Sequence, residues 1–163
     1  MQRASPVGPL TFYGSDESLH AILFVCDHVK SPDHYFAHFK RQEDHPILLE
    51  AAKQIDEYFD GARRAFELPL QPFGTEFQQQ VWALLAEIPY GMTVNYGDLA
   101  RKLGDINKSR AVGMANGRNP LSIVLPCHRV VGSNGSLTGY GGGLDAKSIL
   151  LDLEAKALGQ RLF

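Results

Sequence analysis

Seven residues, Leu68-Pro69-Leu70-Gln71-Pro72-Phe73-Gly74, divide this chain more sharply than any other stretch. Two prolines remove backbone donors and a glycine follows, so neither a helix nor a central strand runs through. A chain of 163 residues suffices for one ordinary domain, or for two small ones sharing an interface. The connector predicts the second arrangement, with residues 1–70 as an N-terminal domain and residues 71–163 as a C-terminal one.

The charge changes sign at the same place. Residues 1–70 hold seven Lys and Arg against eleven Asp and Glu, whereas residues 71–163 hold nine against seven. Within the second half, Arg101, Lys102, Lys108, Arg110, Arg118 and Arg129 face Asp105 alone between positions 101 and 129. The net charge of -2 conceals this basic segment. It suits either an anionic partner or a solvated face, and charge alone leaves both open. No run approaches the ~18 apolar residues of a membrane-spanning helix. Met1 to Leu10 carries one Arg and no apolar core, so no secretory leader is expected. The two cysteines, Cys26 and Cys127, imply no disulfide framework and a reducing, cytoplasmic setting.

The fold class expected is α+β. In the first half, Leu10–Tyr13 and Leu19–Val25 read as strands around Gly14-Ser15-Asp16. Pro46 suits a helical first turn, Leu48, Leu49, Ala52, Ile55, Tyr58 and Phe59 recur at helical spacing, and Gly61 is a stop. Ala65–Leu68 reads as a last strand. This small α/β unit has no chemical signature of its own. The second half is mostly helical. Thr75-Glu76-Phe77-Gln78 fits a capping box, and Phe77, Val81, Leu84, Leu85 and Ile88 form a stripe broken by Pro89-Tyr90-Gly91. Phe77 and Trp82 on this helix read as core. Tyr96–Leu103 and Asn107–Asn116 are two short helices, each closed by glycine, and they suggest a helix-turn-helix. Ser122–Leu125 and Arg129–Val131 look extended around Pro126-Cys127-His128. Gly139–Gly143 is a flexible loop, and Leu144–Leu158 is an amphipathic helix.

Cys127 carries the strongest chemical signal. Pro126 fixes its own φ and biases Leu125 toward an extended shape, which delivers the thiol at a defined point. A positive surround, here His128 and Arg129, lowers a cysteine pKa from about 8.5 and enriches the thiolate. A small buried hydrophobe is the other use of such a residue. Neighbours on an extended segment point to opposite faces, so His128 need not touch the sulfur, and a water could relay between them. A third group is needed to orient the imidazole, and spacing does not identify it; Glu154 is one candidate.

Ile123-Val124-Leu125-Pro126-Cys127-His128-Arg129-Val130-Val131 resembles the active-site segment of the O6-alkylguanine-DNA alkyltransferases, the methylated-DNA–protein-cysteine methyltransferases. Tyr90–Ala100 resembles the family's lead into its first DNA-binding helix, and Ser109-Arg110-Ala111-Val112-Gly113 its recognition helix. Asn119-Pro120 resembles its asparagine hinge, and Gly139–Leu144 with Leu150–Glu154 its pocket loop and final helix. The strong resemblance covers Phe73 to Glu154; the first half matches in length and general pattern.

The resemblance implies a ribonuclease H-like roll followed by a domain with a winged helix-turn-helix. It implies irreversible, once-only transfer of an alkyl group from guanine O6, or less readily thymine O4, to Cys127, without a cofactor. His128 and Glu154 would activate the thiol through water, and Tyr96 would assist the departing base. Asn119 would brace the turns around the site. The partner would be alkylated double-stranded DNA, gripped in its minor groove with low sequence specificity by a monomer, cooperatively where several bind. Arg110 would fill the gap left by a flipped base, with Ala111, Lys108, Arg118 and Tyr96 beside the DNA. Tyr140, Gly141 and Pro126 would border the pocket. Gly141 replaces the serine of some relatives, which bears on the alkyl groups tolerated. Some relatives hold zinc in the first half; Cys26 with His20, His28 and His34 is a poor ligand set, and no metal is expected. Two other function classes are a damage-binding module without transfer, disfavoured by the retained Cys127, and a cysteine hydrolase, for which no oxyanion-hole motif is present.

Overall fold

Strands β1 (Gln2–Arg3), β2 (Leu10–Gly14) and β3 (Leu19–Phe24) form an antiparallel sheet in that order, with Leu10 opposite Phe24 and Phe12 opposite Ile22. The computed structural model describes residues 1–25 and 38–160. Every residue of β3 is buried, so this strand lies inside the molecule. Helix α1 (Pro46–Phe59) starts on Pro46 and packs Leu48, Ala51, Ala52, Ile55 and Tyr58 inward. Leu49, placed on the apolar stripe by spacing, is exposed.

Ala65–Leu68 is not a strand. The extended pairing falls in the connector itself, where Leu19 N–H donates to the Pro69 carbonyl (2.7 Å) and Gln71 N–H donates to the Leu19 carbonyl (2.9 Å). Proline lacks a donor but keeps its acceptor, which is what β3 uses here. His20, considered above as a metal ligand, is buried with Nδ1 2.8 Å from the Gln71 carbonyl and its ring stacked on Phe73. Cys26, His28 and His34 lie outside the described residues.

Helix α2 (Glu76–Ala86) opens with the expected Thr75–Gln78 capping box. Trp82 is core: its Nε1 donates to the Ala115 carbonyl at 2.8 Å. Strand β4 (Val94–Asn95) leads directly into helix α3 (Tyr96–Lys102), capped by a second reciprocal box between Asn95 and Asp98. A 3-10 turn (Ile106–Lys108) precedes helix α4 (Ser109–Gly117), which packs against both α2 and α3. Residues Ser122–Leu125 form a turn and not the expected extended segment. Leu125 N–H donates back to the Leu121 carbonyl (2.9 Å), and Ile123 takes φ 74°, a left-handed conformation that a β-branched residue adopts only under tertiary constraint.

Cys127–Arg129 is a 3-10 turn, followed by β5 (Val130–Val131), which runs parallel to β4 with Val94 opposite Val130. Helix α5 (Leu144–Ala157) completes the described fold. One apolar core takes residues from both halves, including Phe12, Ile22 and Tyr58 with Trp82, Leu99, Val112, Leu121 and Leu150. Among the described residues, no helix is long and apolar enough to cross a membrane.

Candidate active site

Pro126 adopts φ -81°, ψ 63°, and the Cys127 N–H donates to the Leu125 carbonyl at 2.8 Å. This is an inverse γ-turn, and it delivers Cys127 as the first residue of the 3-10 turn. The expectation of an extended segment at Arg129 is therefore corrected: chain reversal at Pro126 makes Cys127, His128 and Arg129 successive residues of one tight turn. Asn119 braces the approach. Its Nδ2 donates to the same Leu125 carbonyl (2.8 Å), and its Oδ1 accepts from the Leu121 N–H (2.9 Å). Cys127 is 3% exposed and belongs to the core cluster.

Glu154 on α5 is the hub of a buried polar network. Its Oε1 lies 2.7 Å from His128 Nε2 and accepts from Tyr58 Oη (2.7 Å) and Arg129 Nη2 (2.9 Å). Its Oε2 accepts from Arg129 Nε and the Gly91 N–H, both at 3.0 Å. Burial alone pushes this carboxyl up, but hydrogen bonds from His128 and Arg129 prevail and hold it down to about 2. A carboxylate only accepts, so Nε2 of His128 carries the proton between them. Burial pulls the His128 pKa below its ordinary value, opposed by Glu154, which leaves a neutral ring. Its Nδ1 then holds a lone pair, and it is buried with no hydrogen-bond partner among the described residues. The arrangement presents a proton acceptor within the turn that begins at Cys127.

Arg129 belongs to the basic segment expected to meet an anionic partner or solvent. It is buried instead: its guanidinium serves Glu154, donates to the Ile88 carbonyl (2.6 Å) and lies 5.5 Å from the Tyr90 ring centroid. The feature that marks it, adjacency to His128, was legible, but its direction was not. Gly91 takes a backbone conformation that favours glycine. Its φ is 78°, and a Cβ would stand 2.2 Å from Leu158 Cδ1. Lys147, unremarked in the sequence, is also buried; Nζ donates to the Val130 (2.6 Å) and Thr138 (3.0 Å) carbonyls. Burial lowers its pKa, and the charge of Cys127 opposes that shift.

Strand β4, paired in parallel with β5, runs directly into Tyr96, the first residue of α3. Tyr96 Oη is 2.6 Å from Thr138 Oγ1, and Gly113 of α4 faces the ring. Tyr140 packs edge-on against His128 (6.5 Å) and Phe24 (5.5 Å). The adjoining loop is close-fitting: a Cβ on Gly142 would meet Phe24 at 2.7 Å. Gly141 lies between them in the chain. Pro126 lines a cavity of about 290 Å³ with Tyr90, Arg64 and Arg129. Lys108, Arg110, Ala111 and Arg118 are exposed on α4 and its flanks, apart from the buried network. Met114, 66% exposed, stands on the same helix and was not singled out from sequence. No cluster of three His, Cys, Asp or Glu suited to a metal occurs among the described residues.

Known proteins resemble this chain along most of its length. The sequence profile of the 6-O-methylguanine DNA methyltransferase DNA binding domain matches residues 76–156, and that of the 6-O-methylguanine DNA methyltransferase ribonuclease-like domain matches residues 3–72. A methylated-DNA–protein-cysteine methyltransferase of Methanosarcina acetivorans is 45% identical over 152 residues, covering 92% of this chain and 94% of the relative. One from Mycobacterium leprae is 44% identical over 150 residues, covering 92% and 88%. The crystal structure of Mycobacterium tuberculosis OGT in complex with DNA superposes with a TM-score of 0.89 at 40% identity, covering 96% of this chain and 92% of that one. With an N-terminal ribonuclease-like domain, a C-terminal DNA-binding domain and a cysteine beside a buried histidine–glutamate pair, this chain belongs to the methylated-DNA–protein-cysteine methyltransferases, DNA repair enzymes that transfer an alkyl group to cysteine.

Proposed function

We propose that this protein reverses O6-alkylguanine, and less readily O4-alkylthymine, in duplex DNA by one irreversible transfer to Cys127. The observation that carries this reading is the unpartnered Nδ1 of a neutral His128 in the same turn as the thiol, with Glu154 fixing the tautomer. The thiol proton leaves by way of Nδ1, relayed by water. The sulfur then attacks the alkyl carbon, the carbon–O6 bond breaks, and its electron pair returns to the base. Tyr96 supplies a hydrogen bond and then a proton to the departing guanine. A thioether remains, and no group in the site regenerates the thiol, so each molecule acts once.

The lesion sits within a base stack, so the nucleotide must leave the helix before its alkyl carbon meets sulfur. Helices α3 and α4 serve as a winged helix-turn-helix on the minor groove. Arg110 fills the vacated position, while Lys108, Ala111 and Arg118 lie along the backbone. A planar guanidinium suits this, since it stacks between bases and keeps its charge toward phosphates. Tyr140, Gly141 and Pro126 border the extruded base, and Asn119 keeps Cys127 in register with it. Residues 1–70, a ribonuclease H-like roll, and residues 71–163 act as two domains of a cytoplasmic monomer that binds cooperatively on damaged DNA.

The test is mass spectrometry after incubation with a duplex containing O6-methylguanine. A gain of one methyl on the Cys127 peptide, saturating at one per protein molecule, is expected. Tight binding with Cys127 unmodified would assign recognition without transfer.

A further inference from the structure

Tyr58 brings the N-terminal half into the centre of the site. It lies on α1, 96 residues before Glu154, and is fully buried among Phe59, Phe66 and Tyr90. Its Oη donates to Glu154 Oε1 at 2.7 Å, the same oxygen that His128 Nε2 meets at 2.7 Å. Burial, then the Glu154 charge, drive the phenol's ionisation well above its ordinary range, so it stays a donor.

We propose that Tyr58 is a positioning residue for alkyl transfer: by donating to Glu154 Oε1 it limits the negative charge offered to His128, keeping the imidazole neutral and Nδ1 available as a proton acceptor. Donors on one carboxylate oxygen compete for its electron density. The more of it Tyr58 takes, the less the imidazolium is stabilised. The inference rests on the reading of His128 as the base for Cys127. The other ionisable groups around the pair are Arg129 and Cys127 on the turn, Lys147 on α5 and Tyr90 after α2, with Arg64 5.7 Å from the Tyr90 ring centroid. Among the described residues that hydrogen-bond Glu154, Tyr58 is the one that comes from the first half.

Tyr58→Phe removes the hydroxyl and keeps the ring. Single-turnover transfer from an O6-methylguanine duplex is followed against pH, with DNA affinity and Tm measured alongside. Without the competing donor, His128 is protonated more readily. The acid limb of the rate should move up by about one pH unit, giving roughly tenfold slower transfer on the acid side and convergence with wild type at alkaline pH. DNA affinity should not change. Leu48→Ala, which weakens the same helix away from Glu154, should lower Tm and leave the limb in place. Should Tyr58→Phe fail to fold, 3-fluorotyrosine incorporated at position 58 makes a stronger donor and should move the limb down. Limbs that superimpose on wild type in the folded variant, or in the fluorotyrosine protein, overturn the proposal. Wild-type protein that transfers no methyl overturns the reading of the site, which is a separate result.

Discussion

Asn119 and Cys127 meet at one atom: the Asn119 Nδ2 and the Cys127 N–H both donate to the Leu125 carbonyl at 2.8 Å. Asn119→Ala would free that carbonyl of one donor and leave the buried Leu121 N–H without its acceptor. An unsatisfied buried group costs ~1–3 kcal/mol, so a loss of about 2–3 kcal/mol is expected by denaturant titration. Asn119→Asp keeps the acceptor toward Leu121 but not the donor, and buries a charge that costs more than a neutral group unless it is paired. A folding free energy for Asn119→Ala within about 0.5 kcal/mol of wild type would contradict the bracing role.

Stability should fall in two windows on acidification. His128 has a folded pKa below its ordinary 6.5, so below pH 6.5 the unfolded chain binds a proton that the native one refuses, and stability declines. Glu154 is held at about 2 against 4.5, so its contribution is present above pH 4.5 and is lost as pH falls from 4.5 toward 2. That second contribution is about 3 kcal/mol by linkage. Glu154→Gln should flatten the lower window in thermal melts taken across pH, and an unchanged acid profile would count against this carboxylate as its source.

Arg110 is exposed at the start of α4 and makes no contact in the buried network. Arg110→Ala should leave Tm within a degree or two, because surface substitutions of this kind cost little. Transfer from duplex DNA should drop by roughly tenfold or more, the effect of losing a contact made only once the base has left the stack. Transfer from free O6-benzylguanine, which needs no extrusion, should match wild type. Equal losses on the two substrates would place Arg110 in the chemistry and not in the gap.

Methylation of Cys127 should weaken the fold. Cys127 is 3% exposed and packed in the core, so a methyl added to its sulfur must displace neighbours, at ~1–3 kcal/mol. Calorimetry of the protein before and after reaction should show a fall in Tm of several degrees. An unchanged Tm would mean the site has room to spare.

Local chemistry made much of this fold readable. Pro46 and the Thr75–Gln78 box mark two helix starts because both act within one turn of chain. The strands at Leu10 and Leu19 alternate or saturate with apolar residues and sit where expected. Ser122–Leu125 misled because its apolar content suits a strand, while Asn119, several residues away, folds it into a turn. Arg129 adds to the basic segment, but charge has no direction in a sequence, and a carboxylate 25 residues on turns it inward. Cys127 and His128 stand out by their own chemistry, while family likeness is what selects Glu154 from the possible third groups; Tyr58 reads only as part of a helical apolar stripe, since nothing in the spacing links a tyrosine to an acid 96 residues later.

The splice between β3 and residues 120–122, where Ile22 N–H donates to the Pro120 carbonyl at 2.9 Å and Ser122 N–H to the Ile22 carbonyl at 3.2 Å, bears on how this protein can be dissected. A fragment beginning after the connector would bare those amide groups and the apolar wall behind them. Such raw edges recruit other chains. Severed from its first half, the reactive portion should clump in solution, whereas adding residues 1–70 in trans should dissolve the aggregates by restoring the missing ribbon.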